Sequence, residues 1–140
     1  MSQLVITLLK VRCDETTDDF LEGLTDEFGW RLAAFDMAGD KAWSGEEVPM
    51  KGMEAVDAGS EHTLNRELGR LGPEMQTAEL EFWDKDTFGP DDLLGRILIR
   101  RGSDGIEVSA GESATDLGDG SFRLLGEQGD YTVWLDIREA

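Results

Sequence analysis

The sequence is short of the residues that would give the chain a disulfide, a histidine-based site or a basic surface. Its 140 residues include one cysteine, one histidine and 13 Lys and Arg against 31 Asp and Glu, for a net charge of −18. Because Cys13 has no second cysteine to pair with, the fold needs no oxidising compartment. The shortage of basic side chains argues against binding to nucleic acid and against unaided binding to anionic membranes, since both require positive charge.

Long apolar runs are absent as well. No stretch approaches the ~20 apolar residues that a membrane-spanning helix needs. The N-terminal sequence MSQLVITLLKVRC has no basic lead, so it predicts a first strand and not a signal peptide. We therefore expect one soluble domain over residues 1–140, cytoplasmic at the point of synthesis.

The sequence also offers little for catalysis. His62 is the only histidine, and neither a Ser, His and Asp set nor a phosphate-binding glycine loop is present. The acidic loops described next are too polar to hold a carboxyl group with a raised pKa unless a metal is bound. We predict that the protein is not an enzyme.

The most informative stretch that is present runs from Glu79 to Ile99. Apolar and polar residues alternate as far as Trp83, and an apolar run resumes at Leu93, so the stretch predicts a strand, a loop and a second strand. The loop is crowded with carboxylates: Asp84, Asp86, Asp91 and Asp92. Their repulsion is relieved if a hard cation binds among them. Ca²⁺ takes about six to eight oxygen ligands, whereas Mg²⁺ prefers to keep its waters. A solvated turn has the same composition, and spacing alone does not separate the two interpretations.

An EF-hand does not explain this loop. If Asp84 were its first position, the fifth would be Phe88 and the twelfth, where a bidentate Glu belongs, would be Gly95. The residues before the loop have the period of a strand, whereas an EF-hand requires a helix there.

The rest of the chain reads as short strands and glycine-rich turns. Strands are predicted over 4–11, 30–35, 105–109, 122–125 and 131–137, with the last two forming a hairpin, and a further strand is predicted near 47–56. Leucines at 64, 68 and 71 permit a short helix over 62–71. The sequence therefore predicts an all-β fold, a β-sandwich.

A second cluster of carboxylates, Asp14, Glu15, Asp18 and Asp19, follows the first strand and leads into residues 20–28. In chain order, residues 14–27 are the first acidic segment and residues 84–92 the second, and the two resemble calcium loops of the C2 domain family. In the family's third loop a strand ends in an Asp, a second Asp follows two residues later, and a third, six further on, precedes two apolar residues and a Gly. The matching residues are Asp84, Asp86, Asp92, Leu93, Leu94 and Gly95. The first loop is matched by Gly23, Leu24, Thr25, Asp26 and Phe28.

This resemblance implies a fold and a topology. The chain is expected to be an eight-stranded antiparallel C2-like β-sandwich in which the acidic loops meet at one end. Because the first strand leads straight into the first acidic loop and a strong strand remains at the C-terminus, the permuted (type II) arrangement is expected.

The resemblance also implies a set of Ca²⁺ ligands. They are Asp84 and Asp86, which would bridge metals, Asp92, Asp26, Asp19 or Asp18, and the backbone carbonyl of Lys85. The family places a first-loop ligand where this chain has Phe20, which cannot ligate, so the neighbouring Asp19, or Asp18, takes that role.

In the family, calcium commonly docks the loop end on phospholipid, with apolar tips entering the membrane. Phe88 in the third loop and Phe20 and Leu21 in the first are the candidate tips, which would make the protein a peripheral binder of anionic membranes. A net charge of −18 opposes this docking, because two Ca²⁺ ions would offset only four charges. The alternative is a calcium-stabilised structural or protein-interaction module that does not bind membranes.

Overall fold

The computed structural model describes residues 3–15, 25–85, 90–126 and 129–140, with the backbone alone for residues 15, 25 and 26. These residues form strands and turns without any helix, so no helix among them could cross a bilayer. Their twelve strands are β1 (Leu4–Glu15), β2 (Thr25–Asp26), β3 (Phe28–Asp36), β4 (Lys41–Glu47), β5 (Val56–Asp57), β6 (Glu61–Leu71), β7 (Met75–Asp84), β8 (Asp92–Gly102), β9 (Gly105–Ala110), β10 (Ala114–Gly118), β11 (Ser121–Leu125) and β12 (Asp130–Glu139).

Two antiparallel five-stranded sheets make up the sandwich. The first sheet has the order β10-β11-β12-β1-β6, and the second has the order β4-β3-β7-β8-β9. The short strands β2 and β5 form a separate two-stranded ladder. The predicted all-β sandwich is thereby confirmed at the level of fold class.

Period-two alternation decides which side of each strand faces the core. In β12, Tyr131, Val133 and Leu135 are buried on the core side, and Thr132 on the opposite side is buried as well. Strand β11 pairs with β12 as the predicted hairpin. In β7, Ala78, Leu80 and Phe82 are buried while the intervening glutamates face outward. Alternate side chains of a strand point to opposite faces, so one buried set fixes the whole strand.

Aromatic rings join the two sheets inside the core. Phe28 of β3 stacks on Phe82 of β7, with 5.5 Å between ring centroids, and approaches Tyr131 of the first sheet at 5.1 Å. All three side chains are fully buried. Met50 and Met53 are also fully buried, and so is Cys13 near the end of β1.

The helix that the leucine spacing permitted over 62–71 is wrong. This segment is β6, an edge strand of the first sheet. The register against β1 shifts between the pairs Ile6↔Gly69 and Thr7↔Glu67, which leaves Leu68 as an extra residue. In a regular strand, residues three positions apart point to opposite faces. The extra residue of a bulge lets Leu68 and Leu71 both face the core, and their spacing of three then resembles the period of a helix.

The strand predicted near 47–56 is also misplaced. The strand there is β4, which ends at Glu47, and residues 48–55 are turns and bends. Hydrogen bonds hold this connection against the start of β3: Met50 N–H donates to the Phe28 carbonyl at 2.7 Å, and Phe28 N–H donates to the Met53 carbonyl at 3.0 Å. The methionines are buried through irregular backbone, which has no periodicity to detect.

Candidate functional site at the acidic end

Strands that flank the two acidic segments meet at one end of the second sheet. Asp84, the last residue of β7, is the ladder partner of Asp92, the first residue of β8. On its other side Asp84 is the partner of Phe28, the first residue of β3. The first acidic segment therefore ends, and the second begins and ends, at the same end of the second sheet. We call this end of the sheet the acidic end.

Asp84 lies at the centre of the acidic end and is 3% exposed. Its Oδ1 accepts a hydrogen bond from the Glu27 backbone N–H at 2.9 Å. The Lys85 N–H in turn donates to the Glu27 carbonyl at 2.9 Å. A buried carboxylate is tolerated only when it is hydrogen-bonded or paired with a cation. Asp84 thus ties the beginning of one acidic segment to the end of the other.

Asp92 lies across the β7–β8 ladder from Asp84 and is half-buried. The two residues place carboxylates on the two strands that lead into and out of the same loop. Carboxylate oxygens are the hard donors that Ca²⁺ prefers, so the donors that Asp84 and Asp92 offer fit the expected ion.

The neighbouring carboxylate, Asp91, is held by a cation that the sequence did not single out. Arg31 of β3 donates from Nη2 to Asp91 Oδ2 at 3.0 Å, and from Nε to Glu46 Oε2 at 2.9 Å. Its guanidinium also lies 4.6 Å from the ring centroid of Trp83, the residue that precedes Asp84. Arg31 therefore contacts both flanks of the second acidic loop. The sequence pattern indicates only that Arg31 is an outward-facing residue of β3. It does not indicate which residue Arg31 contacts.

The first acidic segment is framed by residues 56–60. Where β1 ends, Cys13 N–H donates to the Ser60 carbonyl at 2.9 Å, and Gly59 N–H donates to the Cys13 carbonyl at 2.7 Å. Where the segment returns, Asp26 in β2 is the ladder partner of Val56 in β5. Both ends of the segment are thus fixed against the same short connection, which brings the backbone of Asp26 to the acidic end.

Several predicted site residues lie outside the described residues. They are Asp18, Asp19, Phe20, Leu21, Asp86 and Phe88, and the side chain of Asp26 is likewise outside. Of the expected ligands, Asp84, Asp92 and the backbone of Lys85 are described. Within residues 3–15, 25–85, 90–126 and 129–140, no group of three or more His, Cys, Asp or Glu side chains is placed to hold a metal ion.

Glu47 anchors the connection of residues 48–55, which packs against the start of β3 beside the acidic end. Its Oε1 accepts from Arg66 Nη1 at 2.6 Å, and its Oε2 accepts from the Lys51 backbone N–H at 3.0 Å. Partial burial raises the pKa of Glu47, but the Lys51 and Arg66 hydrogen bonds outweigh burial, so its pKa is lowered. The ionised form is therefore the one that the folded state favours.

Gly95, the glycine of the loop pattern, allows the two sheets to approach closely beside the acidic end. A Cβ at this position would lie 2.7 Å from Cδ2 of Leu124 in the first sheet. Any larger residue would require the Leu124 side chain to shift, so Gly95 has a packing role.

Neither family models nor curated proteins gave a match to the chain.

Proposed function

We propose that this protein is a calcium-binding module of the C2 type that docks its acidic end on anionic phospholipid, and we assign it no catalytic activity. One observation carries the proposal: two carboxylate-rich segments are joined at the same end of the second sheet. Counted from Asp26 to Asp84, they are 58 positions apart in the sequence. The hydrogen bond from Glu27 N–H to Asp84 Oδ1 is the direct link between them. Such convergence of acidic loops is what the C2 resemblance implies.

The strand order supports the same proposal. Eight of the strands can be grouped as two four-stranded sheets, β11-β12-β1-β6 and β4-β3-β7-β8, with β9 and β10 added at one side. The C-terminal strand β12 pairs with the N-terminal strand β1 along most of its length. That neighbourhood fits a permuted arrangement, in which the strand that would precede β1 has moved to the end of the chain. We propose that these eight strands are the family's eight.

In this proposal the aspartates of the acidic end act as the ion's ligands. Asp84 and Asp92 would contribute carboxylate oxygens from the two strand ends, and Asp26 would contribute from the first segment. The ion would supply positive charge that bridges these carboxylates to lipid phosphate. Arg31 keeps Asp91 engaged in an ion pair, so Asp91 is the one acidic residue of this loop that we do not assign to the ion.

A second candidate is supported by the charge of the whole chain. At −18, the protein would keep most of its negative charge even with two ions bound, and would be repelled by anionic lipid. In the alternative, calcium stabilises the acidic end and a protein partner takes the place of the membrane. This is the interpretation to adopt if lipid binding fails.

Co-sedimentation with vesicles separates the two candidates. The protein is mixed with vesicles of phosphatidylserine and phosphatidylcholine at low ionic strength, with millimolar calcium or with EGTA. Sedimentation with the vesicles only in calcium supports docking. If calorimetry shows calcium binding but the protein sediments with no anionic vesicle, the protein-interaction module is favoured. If the protein does not bind calcium, both candidates are contradicted.

A further inference from the structure

The outer face of the second sheet carries a ladder of ion pairs next to the acidic end. Reading across the strands, Glu46, Arg31, Glu81 and Arg96 are successive ladder partners on β4, β3, β7 and β8. Arg31 bonds Glu46 at 2.9 Å, and Arg96 bonds Glu81 through Nε at 2.9 Å. Charges of opposite sign thus alternate along this row, and each of the four is engaged in an ion pair.

The next row across the same face is built differently. Its members, from β4 to β9, are Ser44, Ala33, Glu79, Leu98 and Ser109. Four of these five side chains are small or uncharged, so the row is a trough between the ion-pair ladder and a second charged pair, Arg100 with Glu107. Two open depressions, of about 420 and 450 Å³, lie along it, and Glu79 lines both.

Glu79 is the only carboxylate of this row, although Glu46, Glu81 and Glu107 also line the two depressions. Among the described residues Glu79 makes no ion pair or hydrogen bond, and it interacts with Arg96 only through electrostatics at longer range. It is exposed and central, with Ala33 on one side and Leu98 on the other. Leu98 is itself 38% exposed, so apolar surface lies directly beside the Glu79 carboxylate. An unpaired carboxylate beside exposed apolar surface, on a face whose other acids are paired, has the chemistry of a receptor for a cationic side chain.

We propose that this trough binds an extended segment of a partner protein that presents an arginine to Glu79. Five strands span about 19 Å, the length of about six extended residues. The arginine's methylenes would lie on Leu98 and Ala33 while its guanidinium pairs with Glu79 in a bidentate manner. The net charge of −18 steers basic partners to the protein and makes self-association on this face unfavourable, since it would bring two Glu79 carboxylates together.

The proposed surface does not depend on calcium or on lipid, so it is tested in EDTA. The probe is the acetylated, amidated nonapeptide Gly-Ser-Gly-Ala-Arg-Ala-Gly-Ser-Gly, titrated to millimolar concentration into ¹⁵N-labelled protein. We expect saturable amide shifts at Ala33, Ser44, Glu79, Leu98 and Ser109. A peptide with Gln in place of Arg should cause shifts at least tenfold weaker.

Matched charge changes give the decisive comparison. Glu79→Gln should weaken the arginine peptide at least tenfold, whereas Glu74→Gln, an equal charge change in the exposed turn before β7, should leave its affinity within twofold. Glu79→Arg should reverse the preference and bind the peptide that carries Glu in place of Arg. Shifts spread over the whole acidic surface, or equal loss with Glu74→Gln, would overturn the proposal, as would concentration-dependent dimerisation through this face.

Discussion

The carboxylate of Asp84 and the backbone N–H of Glu27 are joined by a hydrogen bond of 2.9 Å. Asp84 closes β7 and Glu27 directly follows β2, so this bond connects two acidic segments that are far apart in sequence. Because Asp84 is buried, the bond is shielded from water and competing partners are few. Any function of the acidic end that needs both segments depends on this contact.

Calcium should stabilise the fold. If the ion binds only the native state, a hundredfold excess over Kd adds about 2.7 kcal/mol to the free energy of unfolding. For a domain of this size that corresponds to a rise in Tm of roughly 8 °C. Calorimetric melting in EGTA and in millimolar calcium measures it, with magnesium at the same concentration as the control. Equal melting temperatures in EGTA and calcium would contradict the metal proposal.

Asp84→Asn and Asp26→Asn should each lower calcium affinity at least tenfold. Each change removes a charge and a ligand oxygen from what we propose is one shared site, while Asn keeps the size of the side chain. Asp104→Asn is the control, because Asp104 lies in the exposed turn between β8 and β9, at the opposite end of the sheet. Titration calorimetry on the three variants is the measurement. Normal affinity in Asp26→Asn together with lost affinity in Asp84→Asn would show that the segments do not share a site.

Phe88→Ala should lower affinity for anionic vesicles about tenfold or more and leave calcium affinity nearly unchanged. The expectation rests on the sequence, where Phe88 stands between Thr87 and the turn residues Gly89 and Pro90. Loss of one inserted aromatic side chain removes about 1.5–3 kcal/mol of apolar burial. Vesicle titration at saturating calcium measures the effect, and Met37→Ala, which removes another exposed apolar side chain away from the loop, is the control. Equal losses in both variants would mean that the membrane contact is not made through this loop.

Arg31→Gln should lower the free energy of unfolding by about 1 kcal/mol, a figure typical of partly exposed ion pairs and cation–π contacts. It should also change the emission of Trp83, because the guanidinium over the ring is lost. Arg70→Gln, which breaks an exposed ion pair with Glu67 on the other sheet, should leave the melting temperature and the emission nearly unchanged. If Arg31→Gln left the emission unaltered, the stacking on Trp83 would not exist in solution.

Glu47 should make the fold sensitive to acid. Its pKa in the folded state is below the ordinary value of about 4.3. The ionised carboxylate therefore contributes stability that is present above pH ~4.3 and is lost as the pH falls through the lower, folded pKa. Urea unfolding of the wild type and Glu47→Gln between pH 7 and pH 3 measures this contribution. We expect the gap in stability between the two proteins to shrink on acidification, and a gap that stays constant would contradict the assignment.

The sequence by itself determined the features that depend on neighbouring residues. Alternation in β7 and β12 gave the strands and their buried faces, since side-chain direction in a strand has a period of two residues. The same local logic set a strand on each side of the acidic loop. It failed where a bulge broke the period, at Leu68, and where the backbone is irregular between Glu47 and Val56.

Only the tertiary structure decided which residues meet across strands. Phe28 lies opposite Asp84 because β3 and β7, which are distant in sequence, pair in this register. The pairing brings the two acidic segments to the same end of the sheet. The same register puts Arg31 between Glu46 and Glu81 and leaves Glu79 between Ala33 and Leu98. Arg31 and Glu79 are both ordinary polar-phase residues of their strands in the sequence. Which of them is paired depends on the strand alongside, because a cross-strand neighbour is set by the register of the whole sheet.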